Sequence, residues 1–385
     1  MLAATFLKQL KTFRGFFMGT CFGVLSAVCL LGFGATSLQA EEVCDMPVFG
    51  VHNVFIDQRA DTATQAQTLG ARAAAETAFT VLLQRLLNDQ GRVEEFANLH
   101  DLDEFTDFVH ISEENSLEGR YIARLNFCFD APRLRAAMRE ASVSWAELPS
   151  PPILVIPVWK GPEGARAWQS DNEWLMGWRD DVASATGLMS FTLLEPTITN
   201  ERKLRAQDLA EGDPVTLAKG AKIAGASQIM LVIAQLDYEG AQAVLTVSGQ
   251  LLSDDGEGLT QLGRMVDLQV NDDLSMQLTN ARQQILQELE QSWHAANLIS
   301  GDETRELALT IPVSSLSQWA SRLDVLENVA VINSLQIRQL KLDSGLVTLS
   351  LSGSMAALEN ALARQELQIK ILDDGTGVLS SLTNN

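Results

Sequence analysis

The sequence predicts a multidomain protein of the α+β and α/β classes, and three observations lead to this prediction. The segments Ile153–Trp159 and Gln228–Ala234 are almost continuously apolar, which is typical of strands covered on both faces. Helical and strand periodicities alternate along the chain after residue 40. The length of 385 residues leaves room for two or three domains behind a short leader.

The first 40 residues have the pattern of a secretory signal peptide. Three basic residues precede an apolar run over 16–35, namely Lys8, Lys11 and Arg14. A small-residue exit ends at Ala40, so we expect cleavage between Ala40 and Glu41 and a periplasmic protein. The apolar run of about 20 residues is also long enough to cross a bilayer uncleaved. The alternative is a single-pass inner-membrane anchor with the rest of the chain facing the periplasm.

The charge of the chain excludes some partners. The net charge is −21, and removal of Lys8, Lys11 and Arg14 with the leader makes it −24. Such a protein repels phosphate backbones, so we expect no nucleic-acid partner. Charge alone does not hold it on anionic lipid, so we expect membrane contact only if the leader is retained.

Four cysteines become two when the leader is removed, and the remaining pair is Cys44 and Cys128. In an oxidising compartment an isolated pair of cysteines is more often a disulfide than a metal site. A bond between them closes a long loop and contributes about 4 kcal/mol in the chain-entropy model. The alternative is two separate buried thiols.

The first segment after the leader covers residues 41–147 and predicts a β-α-β-β-α module. A strand over Val48–Ile56 precedes a helix that starts at Asp61 or Thr62. An acidic region with two histidines follows, then a weak strand over Phe108–Ile111 and a turn over Asn115–Gly119. Apolar and polar residues alternate over Tyr121–Phe129, as in a strand with one buried face, and a helix closes the module.

The central segment covers residues 148–300 and predicts a mixed-sheet α/β domain. Besides the two apolar strands, we expect helices over 172–183, 201–210 and 214–224 and a strand over 190–194. Strands over 243–251 and 262–270 form a hairpin. A long amphipathic helix over 271–296 ends the domain.

The third segment covers residues 301–373 and predicts a ferredoxin-like domain. Its order is β-α-β-β-α-β, the split βαβ pattern. We expect the second strand, over 329–342, to be bulged near Gln339 and the second helix to begin at Ser354. Residues 374–385 are rich in Gly, Ser, Thr and Asn, so we expect a flexible tail.

The sequence contains no recognisable catalytic, cofactor-binding or metal-ligating set. His100 and His110 lie among acidic residues, but their spacing matches no known ligand loop, so we favour a solvated surface region over a metal cluster. No phosphate-binding loop or nucleophile elbow is present. We therefore expect a protein without a cofactor that is not an enzyme, and a hydrolase with carboxylates that meet only in three dimensions is a less favoured alternative.

Tryptophans are unusually dense in the middle of the chain. Five occur within 34 residues, namely Trp145, Trp159, Trp168, Trp174 and Trp178. Trp174 and Trp178 are four residues apart on an expected helix and so share a face. One interpretation is that Trp168, Trp174 and Trp178 form an exposed platform for a glycan strand or a partner protein. The other is that they fill the core between helix and sheet.

Two stretches carry a resemblance to known families. The strand Val48–Ile56 and the helix pattern in Gln67–Leu86 resemble an uncharacterised family of exported proteobacterial proteins with a domain of unknown function. Ile153–Trp159 and Ala224–Ile233 resemble the envelope domains near the TolB N-terminal and curli-secretion lipoprotein families, in which a similar α/β module binds protein partners. The resemblance implies an accessory role in the cell envelope and supplies no site residues.

Together these observations predict a non-enzymatic periplasmic protein that acts as an interaction or assembly module for envelope proteins. The alternative is a protein that binds glycans or small ligands through the tryptophan region. An exposed apolar patch favours the first function, and a deep pocket lined by tryptophan and polar groups favours the second.

Overall fold

The computed structural model describes residues 44–382 except residues 170, 241, 255, 257, 270–272 and 301–303. The predictions for the leader, Ala40 and Glu41 lie outside the described residues. The described residues form a mixed α+β structure with three sheets. The described chain forms two compact units, one made of residues 44–78 and 106–129 and the other of residues 79–105 and 130–382.

The first unit contains a three-stranded antiparallel sheet in the order β1-β3-β2. Its strands, and the helix that begins in this unit, are β1 (Gly50–Arg59), α1 (Ala63–Leu87), β2 (Thr106–Leu117) and β3 (Arg120–Phe129). On β3, alternate residues from Tyr121 to Phe127 are buried, as the alternating pattern predicts. The predicted turn over Asn115–Gly119 is shorter in the structure, because the strands pair up to Leu117 and Arg120. Gly119 permits this tight turn with a φ of +67°.

A disulfide joins Cys44 to Cys128 in this unit, with 5.6 Å between their Cα atoms. The pairing expected from the cysteine count is therefore present in the structure. It ties the start of the described chain to the end of β3 across a sequence separation of 84 residues.

The second unit contains a helix that the sequence pattern did not predict. This helix, α2 (Gln90–Leu99), lies just before the acidic region that contains His100 and His110. Asp89 caps it by accepting a hydrogen bond from the backbone N–H of Arg92, at 3.1 Å. Val93 and Phe96 are its two buried residues, too few to give a clear helical stripe in the sequence. A further helix, α3 (Ala131–Glu140), follows the strands of the first unit.

The central sheet is mixed and has the order β5-β4-β7-β8-β9, with β6 also pairing with β4. β4 runs parallel to β7, and β8 runs antiparallel to both β7 and β9. Its strands are β4 (Ile153–Gly161), β5 (Gly164–Arg166), β6 (Phe191–Thr192), β7 (Gln228–Glu239), β8 (Gln242–Ser253) and β9 (Gly258–Gln269). Its helices are α4 (Glu173–Ser184), α5 (Ile198–Lys203), α6 (Ala206–Ala210), α7 (Pro214–Ala224) and α8 (Leu274–Ala296).

Two hydrophobic cores lie on opposite faces of this sheet, which explains why β4 is apolar throughout. Ile153 and Val155 belong to the core that α4 and α8 cover, whereas Leu154, Ile156 and Val158 belong to the core that α6 and α7 cover. Successive side chains of a strand point to opposite faces, so a strand that is covered on both faces needs apolar residues at odd and even positions alike.

The C-terminal sheet has five strands in the order β11-β12-β10-β14-β13. They are β10 (Arg305–Pro312), β11 (Ile332–Leu340), β12 (Ser344–Leu351), β13 (Leu367–Ile371) and β14 (Gly377–Ser381), with helices α9 (Leu316–Glu327) and α10 (Met355–Ala363). The bulge expected near Gln339 is present between Ile337 and Gln339. Ser354 caps α10 as expected, accepting from the N–H of Ala357 at 3.0 Å.

The predicted flexible tail is wrong for residues 377–381, which form β14 and lie between β10 and β13. Leu379 is fully buried there. The chain reverses through Gly375, at a φ of +80°, and the Asp374 carboxylate accepts hydrogen bonds from the N–H and hydroxyl of Thr376. The C-terminal domain therefore has one strand more than the predicted order β-α-β-β-α-β.

The stability of the second unit is expected to fall in acid because of His294. This residue of α8 is buried, and its Nε2 bonds to the carbonyl oxygen of Leu86 at 2.7 Å. Burial lowers its pKa below the ordinary 6.5. The unfolded chain therefore takes up a proton near pH 6.5 that the folded chain resists, and this contribution to stability is lost as the pH falls below that value.

His294→Gln keeps an N–H donor for Leu86 but does not titrate, so its unfolding free energy is expected to fall less between pH 7 and pH 5 than that of the wild type. Urea unfolding at several pH values measures the unfolding free energy of both proteins. An equal fall of this free energy between pH 7 and pH 5 in the two proteins would contradict the role given to His294.

Candidate functional site

Of the two interpretations of the tryptophans, the structure agrees with burial in the core and not with an exposed platform. Trp174 and Trp178 are fully buried, with their rings edge to face and 5.6 Å between centroids. Trp168 is 9% exposed and belongs to the core on the opposite face of the central sheet. The spacing of four residues does put Trp174 and Trp178 on one helix face, but that face points to the sheet. The three indoles are core residues.

Hydrogen bonds confirm the structural role of two of these indoles. Trp174 Nε1 donates to the carbonyl oxygen of Val232 at 3.2 Å, and Trp168 Nε1 donates to that of Leu204 at 2.9 Å. The first of these bonds joins α4 to β7.

A cavity of about 280 Å³ lies in the second unit where α1 and α4 end. Its polar lining includes Gln84, Arg85, Asn88, Asp181, Ser184 and Glu290. Arg85 Nε donates to the carbonyl oxygen of Thr186 at 2.6 Å, and Glu290 accepts from the N–H of Met189 at 3.1 Å.

The charged groups of this cavity all have structural partners. Burial lowers the pKa of Arg85 and raises that of Glu290. Asp181 accepts a hydrogen bond from the largely buried Arg282, at 2.7 Å. These groups hold the loop 186–189 and the pair α4 and α8 in place, so we do not put the functional site here.

The predicted acidic surface around the histidines offers no metal centre in the structure. Within the described part of the chain, no three His, Cys, Asp or Glu side chains lie close enough to hold a metal ion. Asp101 instead caps a short 3₁₀ turn by accepting from the N–H of Asp103, at 3.2 Å.

The most unusual surface is the outer edge of β11. This strand pairs with β12 on one side, and no other described strand pairs with it. Half of the N–H and C=O groups of an edge strand point away from the sheet, where another chain can bond to them.

One face of β11 is apolar and becomes exposed along the strand. The register places Leu335, Ile337 and Leu340 opposite Leu349, Val347 and Gly345 of β12, and Leu349 and Val347 are fully buried beneath the helices. Directly paired residues point to the same face. Yet Ile337 is 55% exposed and Leu340 is 48% exposed. We call Leu335, Ile337 and Leu340 the apolar row.

Trp319 of α9 packs on β12 at the end of this edge. A Cβ built on Gly345, the partner of Leu340, would lie 2.1 Å from the Trp319 ring. Trp319 therefore packs directly over Gly345 and is itself buried. Beyond it, Leu342 in the turn is fully exposed.

The edge is also basic in a strongly acidic protein. From Asn328 to Leu342 the chain contains Arg338 and Lys341 but no acidic residue. Arg338 Nε donates to the Thr348 hydroxyl at 3.0 Å, on the face opposite to the apolar row. The edge thus has an apolar face, a basic face and unpaired backbone groups.

Comparison with known proteins does not assign the chain to a family. No family model matches the sequence, and none of the curated proteins matches it. A crystal structure of the lipoprotein GNA1162 from Neisseria meningitidis aligns with 36% of this chain and 98% of that chain, at 18% identity and a TM-score of 0.22. That score is too low to support an argument about function.

Two further findings concern the described residues. The Cys44–Cys128 disulfide is compatible with an exported protein. In the described ranges, no helix has both the length and the apolarity needed to cross a membrane.

Proposed function

We propose that the protein is a non-enzymatic interaction module of the cell envelope, and that it binds an extended segment of a partner protein along β11. The observation that carries this proposal is an open sheet edge with the apolar row on one face. The burial of Trp168, Trp174 and Trp178 removes the surface on which the glycan-binding alternative depended.

Strand addition explains the chemistry of this edge. Main-chain hydrogen bonds to the unpaired groups of β11 provide affinity, and side chains on alternate positions provide specificity. A fitting segment has apolar residues facing the apolar row and acidic residues facing Arg338 and Lys341. The bulges of β11 after Ile332 and Ile337 leave Ser334–Ile337 as the regular stretch for pairing.

The proposed location is the periplasm. The leader pattern, with cleavage between Ala40 and Glu41, supports export, and the disulfide fits an oxidising compartment. We propose envelope proteins as partners. The resemblance of the central strands to partner-binding envelope domains agrees with this role.

Replacing one residue of the apolar row is expected to weaken partner binding. Ile337→Asp places a charge on the exposed apolar face, against the apolar side chains of the bound segment. We expect capture of partner proteins from the native envelope, measured by crosslinking and quantitative mass spectrometry, to drop about tenfold, which corresponds to a loss of roughly 1.4 kcal/mol.

The matched control is Ile198→Asp, because Ile198 on α5 is 68% exposed and lies outside the C-terminal sheet. Both variants should keep the thermal stability of the wild type within about 0.5 kcal/mol, as is usual for surface changes. Equal capture by all three proteins would contradict a role for β11.

A further inference from the structure

We propose that the protein contacts the surface of a lipid bilayer with one end of its C-terminal sheet, through three exposed leucines. They are Leu316, Leu342 and Leu382, and we call them the leucine end. This inference goes beyond the proposed function, because it uses the end of the sheet and does not need β11 to accept a strand.

The strand register brings three separate segments to this end. β10 ends where β12 begins, because Pro312 pairs with Ser344. β10 and β14 run parallel, with Thr310 paired to Val378, so these two strands end at the same level. The segments next to these strand ends carry Leu316, Leu342 and Leu382.

Hydrogen bonds join these segments to one another. The N–H of Val313 donates to the carbonyl oxygen of Asp343 at 2.9 Å, which connects the chain before α9 to the turn between β11 and β12. Arg322 of α9 donates to the hydroxyl of Ser381 at 3.3 Å, next to Leu382. The leucine end is therefore one connected surface of the folded sheet.

Leu342 does not stabilise the turn in which it lies. It is fully exposed, at a place where turns usually have Gly, Asn, Asp or Ser. The N–H of Lys341 donates to the carbonyl oxygen of Ser344 at 2.8 Å, and the Ser344 hydroxyl donates to Asp343 at 2.9 Å. These bonds close the turn without the side chain of Leu342, which is left to contact something outside the molecule.

The other two leucines are exposed as well. Leu316 is the first residue of α9 and is 74% exposed, and Ser315 caps this helix by accepting from the N–H of Gln318 at 3.2 Å. Leu382 follows β14 and is 43% exposed, and its N–H donates to the carbonyl oxygen of Glu366 at 2.7 Å. The backbone is held at both places, and neither side chain is buried in a core.

The charge of this end differs from that of the whole chain. The segments around it carry the bases Arg322, Arg338 and Lys341 and the acids Asp343 and Glu366. From the net charge of −21 we expect membrane contact only through a retained leader, but at this end the bases outnumber the acids. Bases attract anionic headgroups while apolar side chains enter the layer below, so both attractions act at the same place.

A bilayer fits this surface better than a partner protein does. The leucines come from different segments and are separated by polar residues such as Ser314, Lys341 and Ser381. A protein needs a separate pocket for each of them, whereas a bilayer accepts apolar side chains wherever they enter, with a strength that scales with the apolar area buried. Contact through the end of the sheet also leaves the edge of β11 accessible.

Sedimentation with lipid vesicles tests the contact. The chain from Glu41 is used, since an apolar leader binds lipid by itself. We expect it to bind vesicles of equal parts phosphatidylethanolamine and phosphatidylglycerol, and Leu342→Ser to weaken this binding about tenfold, because burial of one leucine contributes an effect of that order. The matched control is Leu99→Ser, which should bind like the wild type, because Leu99 on α2 is 68% exposed and lies outside the C-terminal sheet.

A fluorescent label at the same position gives a second readout. In the chain from Glu41 the native cysteines are paired, so Leu342→Cys introduces one free thiol. We expect the emission of an environment-sensitive dye on this thiol to shift to the blue when vesicles are added, and the same dye on Leu99→Cys to show no shift. Ile337→Ser changes the edge and not the end, so it should bind vesicles like the wild type.

Two results would overturn the inference. A wild type that does not sediment with the vesicles has no bilayer contact, and if capture of envelope proteins then depended on Leu342, the leucine end would be a protein-docking surface instead. Equal vesicle binding by the wild type and Leu342→Ser, with no blue shift of the dye, would place the lipid contact elsewhere. The proposed function survives both results, because it fails only when capture does not depend on Ile337.

Discussion

Trp174→Ala is expected to destabilise the protein by about 3–5 kcal/mol, the usual cost of truncating a fully buried tryptophan. Trp174 contacts Trp178 and donates a hydrogen bond to Val232 of β7. It also lies 5.9 Å from the guanidinium of Arg282, which is paired with Asp181. Removing the indole leaves a cavity in the core between α4, α8 and the sheet. Denaturant unfolding measures the loss.

A matched pair of conservative variants separates packing from hydrogen bonding. Both Trp174→Phe and Trp178→Phe remove the same volume, but the buried Nε1 of Trp178 has no hydrogen-bond partner within the described residues. Trp178→Phe is therefore expected to cost about 1 kcal/mol less than Trp174→Phe. If Trp174→Ala instead kept full stability and lost partner capture, the result would support Trp174 as part of an exposed binding platform.

Removal of the disulfide is expected to have the second largest effect. Replacing Cys44 and Cys128 together by alanine frees a loop with a sequence separation of 84 residues. A native disulfide in a secreted domain typically contributes 2–5 kcal/mol. We expect the urea midpoint of the double variant to fall and to become insensitive to reductant, whereas the wild-type midpoint falls only when reductant is added.

A thiol titration gives an independent check on the disulfide. The unfolded chain from Glu41 should show no free thiol until it is reduced. Two titratable thiols in the oxidised protein, together with an unchanged urea midpoint for the double variant, would show that the cysteines are separate.

Local patterns predicted much of the fold. The continuous apolar runs of β4 and β7 indicated strands covered twice, and their residues do divide between two cores. The bulge near Gln339 and the cap at Ser354 were also evident from local chemistry. Each of these features depends on neighbouring residues, which a sequence shows directly.

The features that were missed depend on distant parts of the chain. α2 has only Val93 and Phe96 buried, and their burial requires the rest of the second unit. β14 lies in a polar tail and forms because it pairs with both β10 and β13. The spacing of Trp174 and Trp178 defined a shared face but not whether that face met solvent or the sheet.

The candidate site at β11 could not be predicted from the sequence for the same reason. The absence of acidic residues from Asn328 to Leu342 is readable in the sequence. The sequence does not show that this stretch forms an edge strand, because strand order is set by pairing between segments far apart in the chain. Only the combination of position, exposure and charge makes β11 a candidate binding edge.

The most direct test of the account is hydrogen–deuterium exchange of the β11 amides, measured by mass spectrometry on the free protein and on the complex captured from the envelope. We expect exchange over Ile332–Leu340 to slow on binding, because a partner strand bonds the outward N–H groups, while exchange over β1 stays unchanged. A complex that forms with full occupancy while the β11 amides exchange as fast as in the free protein would contradict strand addition at this edge.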